Sequence, residues 1–258
     1  MRYLSRRLIW YILFVCFAIT EAFGQGEVNE DAQIFYRYER TIAGYLYSNG
    51  WGTDISFTKR RNAFSSFIYG AGFGVINHPK EYKSQSPYTG GWGRSYVFGK
   101  TNEAMIIRVA AGYQKELFSK YDKGGIAIRY FYTGGLTLAL LKPIYYQKIV
   151  RIDYETGKII YDVSLFDPDY MQSIYDIYDR ESFFIGLDET KLSPGAFVRV
   201  GMSFEYSTAE HTINALEGGL QLEGFLTKLP LMTGNNNQQL FLSLFVSYRV
   251  GKVSDKLN

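Results

Sequence analysis

Alternation of period two with very large residues on one parity, and loops that switch between short and long, predict an all-β chain. Together they predict a closed antiparallel transmembrane β-barrel of about eight strands. Composition agrees. The 258 residues hold 23 Tyr, 19 Phe and 3 Trp against only 6 Pro, far from a disordered or collagen-like chain. A net charge of +3 gives no electrostatic case for nucleic acid.

Arg2, Arg6 and Arg7 form a basic start, residues 8–20 (LIWYILFVCFAIT) an apolar stretch, and Ala22-Phe23-Gly24 a cleavage site before Gln25. The apolar stretch falls short of the roughly 17–25 residues a spanning helix needs. Residues 1–24 are therefore expected to be a cleaved export signal. Cys16, the single cysteine, would leave with it, and disulfide, zinc and thiol chemistry would leave too. Residues 25–33 are polar and unpatterned, a periplasmic lead-in, and residues 34–258 are expected to form the barrel.

The eight strands are expected near residues 38–48, 51–60, 63–76, 103–114, 124–142, 195–207, 213–227 and 239–251. In the third, Phe67, Tyr69, Ala71, Phe73 and Val75 alternate with Ser66, Ile68, Gly70, Gly72 and Gly74. In the sixth, Val198, Val200, Met202 and Phe204 alternate with Arg199, Gly201, Ser203 and Glu205. In the last, Leu240, Leu242, Leu244, Val246, Tyr248 and Val250 form the apolar parity. Such a run on one face is long enough for a tilted strand to cross a hydrocarbon layer. Glycines and lone charges on the other face suit a narrow lumen.

The first connection is the tight Asn49-Gly50, a type I′ signature. Connections two, four and six (60–62, 119–123, 208–211) are short, and three, five and seven are longer. That is the arrangement of an outer-membrane barrel with both termini periplasmic, and an even strand count leaves no open edge. Phe57, Tyr113, Tyr206 and Tyr248 fall outward at the periplasmic ends of even-numbered strands, as a girdle would.

The inward parity carries Asp54, Arg108, Arg129, Arg199, Glu205, Glu217, Glu223 and Arg249, four acids and four bases. An interior of about eight strands is only wide enough for side chains to fill, and unpaired charges there would be strongly destabilising. The eight are expected to pair into a plug. Tyr45, which an Asn49-Gly50 turn sets opposite Asp54, is expected to cap it. Balanced charge argues against an ion path.

Residues 77–102 form a polar, basic, aromatic external loop. Residues 144–193 are too patterned for disorder and are expected to be an extracellular subdomain. Within it, 148–166 reads as a hairpin around Glu155-Thr156-Gly157-Lys158, either outside the wall or adding two strands to make ten. Asp167-Pro168 has the chemistry of a helix start. Tyr170, Met171, Ile174, Ile177 and Tyr178 follow at helical spacing as a candidate docking stripe.

Catalytic options are thin. His78 shares a loop with Glu81, Ser84 and Ser86, but without a spacing diagnostic of any chemistry. His211 sits in a predicted periplasmic turn. The glycines at 70–74 and 217–219 precede no helix that could cradle a phosphate. Asp162, Asp167, Asp169 and Asp176 miss calcium-loop spacing. No catalytic residue, cofactor or metal is assigned.

On Asn49-Gly-Trp-Gly52, His78-Pro-Lys-Glu81, Ser95-Tyr-Val-Phe-Gly-Lys100, Asp122-Lys-Gly-Gly125, Gly134-Gly-Leu136 with Leu140-Leu-Lys-Pro143, and Asn237-Gln-Gln-Leu-Phe-Leu242, the chain resembles a family of small outer-membrane β-barrels of Bacteroidota. The resemblance implies a barrel in the outer membrane of a diderm bacterium. It implies no activity and carries over no site residue. The expectation is a non-enzymatic barrel, in contact with outer-membrane lipid and with protein partners, docking onto a larger assembly, secretion or uptake complex. The competing expectation is a lipid-modifying enzyme or lipid binder at the outer rim.

Overall fold

The computed structural model describes residues 38–254 except 91, 121–123, 154, 156, 157, 210, 235 and 236. The export signal and the lead-in lie outside the described residues, as does most of the turn in the 148–166 hairpin. In chain order the strands are β1 (Tyr38–Tyr47), β2 (Gly50–Arg60), β3 (Ser65–Ile76), β4 (Lys83–Ser84), β5 (Tyr96–Val97), β6 (Asn102–Phe118) and β7 (Ala127–Pro143). They continue with β8 (Tyr145–Asp153), β9 (Lys158–Leu165), β10 (Ile177–Arg180), β11 (Lys191–Glu205), β12 (Thr212–Phe225) and β13 (Leu240–Ser254).

Eight of these close into an antiparallel barrel in the order β1-β13-β12-β11-β7-β6-β3-β2. Closure is made by β1 on β13, with Tyr38 opposite Ser254, so both ends of the wall lie at the rim of the short turns. Its parity is unmistakable. Ile42, Leu46, Val198, Leu220, Leu242 and Leu244 all face out and are exposed, while Thr41, Tyr45, Arg199, Gln221 and Ser243 face in and are buried. An exterior of this kind would aggregate in water and is at home in hydrocarbon. Among the described residues no helix is long and apolar enough to cross a membrane. A closed barrel crosses with strands, because all its backbone groups pair within the wall.

The structure decides three points of the sequence reading, two as corrections and one as a choice between open alternatives. The first hairpin turns at Ser48-Asn49, with Tyr47 opposite Gly50, so Tyr45 faces Gly52 and Asp54 faces Ala43. Gly50 is needed inside the sheet: a Cβ there would stand 1.9 Å from the Val75 carbonyl oxygen. Second, of the two placements open to the 148–166 hairpin the structure has the one outside the wall, so the expected eight strands stand. β8 and β9 join β10 in a separate sheet of order β10-β8-β9. β7 pairs directly with β11 as far as Lys191 opposite Leu141, which leaves no edge for them.

Third, the segment after Asp167-Pro168 does not continue as an α-helix. One turn forms, with the Met171 N–H donating to the Asp167 carbonyl at 2.7 Å. Ser173 then caps a short 3-10 turn, Ile174–Asp176, and Asp176 answers with its carboxylate. From Ile177 the chain is extended and pairs with the open edge of β8, with Ile177 opposite Lys148. Sheet pairing wins because that edge would otherwise leave backbone groups unmatched.

Candidate functional site

Two regions carry chemistry: the lumen and the layer above its outer mouth. In the lumen, Arg108 grips Glu223 with two hydrogen bonds, at 3.0 and 2.8 Å, and Thr137 donates to the same carboxylate at 2.6 Å. Arg199 donates to Asp54 at 3.0 Å, to Gln221 at 2.8 Å and to the Tyr47 hydroxyl at 2.8 Å. Arg249 donates to Glu217 at 2.7 Å and to the Tyr45 hydroxyl at 2.8 Å, and lies 3.7 Å from Asp54. Arg129 meets Glu205 at 2.8 Å, Glu116 at 3.4 Å and Glu39 at 3.7 Å, and Lys120 reaches Glu205 at 2.7 Å.

All eight inward charges named from the sequence are thus brought into ion pairs. Glu39, on the inward parity of Thr41 and Tyr45, joins them at the short-turn end, with Glu116 and Lys120 from beyond the expected end of the fourth strand. The guanidinium groups also lie against rings, Arg199 at 4.3 Å from the Tyr45 centroid and Arg108 at 5.4 Å from that of Tyr47. Glycine makes the room: a Cβ on Gly74 would stand 2.8 Å from Arg108 Nη1, and one on Gly201 would stand 2.8 Å from the Phe131 ring.

Towards the long-loop end the filling changes from ionic to apolar. Ile106, Leu141, Phe225 and Phe241 face inward and pack with Leu229 and Leu231 from the loop 226–239. That loop is tied down by Thr101 and Asn102, whose side chains both donate to the Pro230 carbonyl at 2.7 Å. The inward cavity that remains measures about 40 Å³, room for a few waters. An ionic layer below and an apolar cap above fill the bore.

On the outer face of the wall, at the short-turn rim, Phe57 stacks on Tyr69 at 5.6 Å. Phe67 meets Tyr113 at 5.3 Å, and Tyr113 meets Tyr132 at 5.8 Å. Tyr206 and Tyr248 stand exposed at the same rim. The row is wider than the four residues expected on even-numbered strands, since Phe67, Tyr69 and Tyr132 extend it onto β3 and β7.

Above the mouth, the loops 77–101 and 144–190 fold together. Tyr96, Ile144, Tyr146, Met171 and Ile177 form one buried cluster, with Phe98 and Phe166 packed on it. Tyr146 donates to the carbonyls of Lys100 at 2.7 Å and Val97 at 3.1 Å, and Tyr96 donates to that of Ile174 at 3.3 Å. Burial pushes the Tyr96 hydroxyl up to about 12, and the charges of Asp179 and Asp176 add to the shift. Of the docking stripe named from sequence, Met171 and Ile177 are core and cannot meet a partner. Tyr170 is exposed with Lys148 Nζ 3.9 Å from its ring centroid, and Tyr178 stacks on Tyr161 at 5.4 Å. Ile174 is half-buried.

His78 is buried, and its Nδ1 accepts from the Lys80 N–H at 3.1 Å. Glu81 accepts from the His78 N–H and from Lys100 Nζ, both at 2.8 Å, and the Ser86 hydroxyl accepts from the Tyr88 N–H. These groups brace the loop. Among the described residues no group of three or more His, Cys, Asp or Glu is arranged to hold a metal.

No protein-family model matches the chain, and no curated protein matches it. Among solved structures the chain is similar to neisserial surface protein A, at 12% identity over 84% of this chain and 96% of that one, TM-score 0.39. It is similar to the N-terminal β-barrel domain of Pseudomonas aeruginosa OprF, at 9% identity over 84% and 97%, TM-score 0.36. A third likeness is to Ail, the attachment invasion locus protein of Yersinia pestis, solved with the heparin analogue sucrose octasulfate, at 7% identity over 85% and 98%, TM-score 0.34. No function passes to this chain from likenesses so distant.

Proposed function

We propose that the protein is a non-enzymatic barrel of a bacterial outer membrane, with both termini periplasmic and its lumen plugged, and that its outer subdomain docks a protein of a larger outer-membrane complex. The membrane reading rests on the continuous apolar exterior, which only a hydrocarbon solvent accommodates. The proposed orientation is supported by the long loops gathering at the rim opposite both ends of the wall. Single cysteines at Lys80 and Glu155 should be labelled on intact cells by an impermeant reagent, and those at Asn62 and Ala209 should not. Equal labelling of both pairs would break the topology.

The observation that carries docking is that two loops distant in sequence share one core above a bore that is already filled. Ordering so many residues costs on the order of 1–2 kcal/mol each in backbone entropy, so a layer with no task would tend to be shorter. β9 is an edge strand of the three-stranded sheet, and Ile160, Tyr161, Val163 and Leu165 stand exposed along it. A rim enzyme built on His78 would have to work around a Glu81 already held by Lys100.

Replacing residues 148–180 with a short Gly-Ser turn tests the reading. The barrel should stay folded and heat-modifiable on gels, while a stoichiometric complex purified in mild detergent should be lost. His78→Ala should leave that complex intact. If His78→Ala instead abolished a lipid modification and loop removal changed nothing, docking would be the wrong reading.

A further inference from the structure

Phe183, Phe184, Ile185 and Leu187 leave four large apolar side chains exposed within five residues, and Phe184 is 75% exposed. Isolated exposed hydrophobics are ordinary, but a cluster of this size marks a contact. Its position says with what.

On β7 the inward parity includes Phe131, Thr137, Ala139 and Leu141, so Lys142 points out of the barrel. Yet Lys142 is only 2% exposed. Its Nζ donates to the Pro143 carbonyl at 2.9 Å and lies 5.0 Å from the centroid of Phe183. The loop before β11 therefore folds back across the outside of the wall.

It is pinned there. The Glu181 N–H donates to the Tyr145 carbonyl at 2.9 Å, and the Tyr145 hydroxyl donates to Glu189 at 2.7 Å. Gly186, at φ +78°, sits so close that a Cβ would stand 2.7 Å from the Tyr145 ring. Strand register then gives the height. Lys142 is opposite Glu103 of β6, which pairs with Arg180 at 2.8 Å. The next outward positions down the wall, Met105 and Leu140, are apolar, and Leu140 is opposite the exposed Leu192 of β11. Outward charge stops and outward hydrocarbon begins at the level where the Phe183–Phe184 pair lies.

We propose that residues 183–187 are a wedge inserted into the outer leaflet at the hydrocarbon boundary, anchoring the outer subdomain to the lipid surface. The occupant is lipid because the patch extends the apolar exterior of the wall sideways at its upper border, beside the charges of Glu103 and Arg180, which suit headgroups. Aromatic side chains fit such an interface by area and rigidity. The inference rests on the reading of the barrel as membrane-spanning, and the test separates the two.

The test uses nitroxide labels on Phe184→Cys, Leu242→Cys and Trp92→Cys, in the full chain carrying Cys16→Ser, reconstituted in phospholipid vesicles. Phe184 is exposed enough that the label displaces no packed side chain, and gel mobility checks folding. Power saturation compares collisions with oxygen, enriched in lipid, and with a nickel chelate, confined to water. Leu242 on the wall and Trp92 in the outer loop are the lipid and water references. The label at 184 should be oxygen-favoured like that at 242, with nickel exposure several-fold below that at 92. If 184 matches 92 while 242 stays oxygen-favoured, the wedge is in water and the proposal is overturned alone. If 242 is itself nickel-exposed, the membrane reading falls and takes the wedge with it.

Discussion

The lumen and the outer subdomain are both built around tyrosines, yet the hydroxyls do opposite work. Tyr45 and Tyr47 accept from Arg249 and Arg199, so in the lumen the hydroxyl serves a charge. Tyr146 and Tyr96 donate to backbone carbonyls, so in the subdomain it ties one loop to another. The difference is one of reach. Each lumen guanidinium touches partners from several strands, and losing one group disturbs many. The subdomain bonds mainly among the outer loops, with Arg180 tied to Glu103 of β6, and its removal should leave the wall standing.

The largest effect that would break this contrast is in the ionic layer. Glu217 accepts from Arg249 at 2.7 and 3.1 Å and from the Ser247 hydroxyl at 2.9 Å. Glu217→Ala takes away the close bidentate carboxylate of Arg249, leaving Asp54 at 3.7 Å, and should cost on the order of 3–5 kcal/mol. Ser247→Ala removes one hydrogen bond to the same carboxylate and should cost about 1.5–3 kcal/mol. Urea unfolding followed by gel mobility measures both. Equal losses from the two variants would mean that charge is not what the layer depends on.

A smaller effect sharpens the other side. Tyr96 is held neutral up to about 12 by burial first and by Asp179 and Asp176 second, whereas an unfolded tyrosine ionises near about 10. The unfolded loops therefore gain from ionisation first. The stability that Tyr96 contributes is whole below about pH 10 and is lost as the pH rises to about 12. Subtilisin should begin to cut within 77–101 and 144–190 in that window while the barrel core resists. Tyr96→Phe should make the onset shallower without abolishing it, because burial also raises Tyr146. Cutting that starts in the wall strands at the same pH would show the two regions to be one cooperative unit.

The residues that misled the sequence reading are those whose neighbours come from far along the chain. Tyr170, Met171, Ile174, Ile177 and Tyr178 have helical spacing, and the Asp167-Pro168 start is chemically sound. What defeats the helix is the open edge of β8, which only the folded hairpin provides. Likewise Asn49-Gly50 is a good turn by itself. The turn moves to Ser48-Asn49 because the close approach of Val75 requires Gly50 in the sheet. Glu39, Glu116 and Lys120 belong to the lumen network through Arg129 and Glu205, contacts that no spacing rule foresees.

What the sequence determined by itself was the local alternation: eight wall strands, which side chains face in, and which rim carries the long loops. Those follow from a period of two read along a strand, and need no knowledge of the neighbour. Only the tertiary structure decided the rest. It set the register of the first hairpin and decided that β8 and β9 stand outside the wall. It put Leu229 and Leu231 into the mouth, and laid Phe183 over an outward lysine. Each of these depends on which edge or cavity is left open once the barrel has closed, and closure joins residues as far apart as Tyr38 and Ser254.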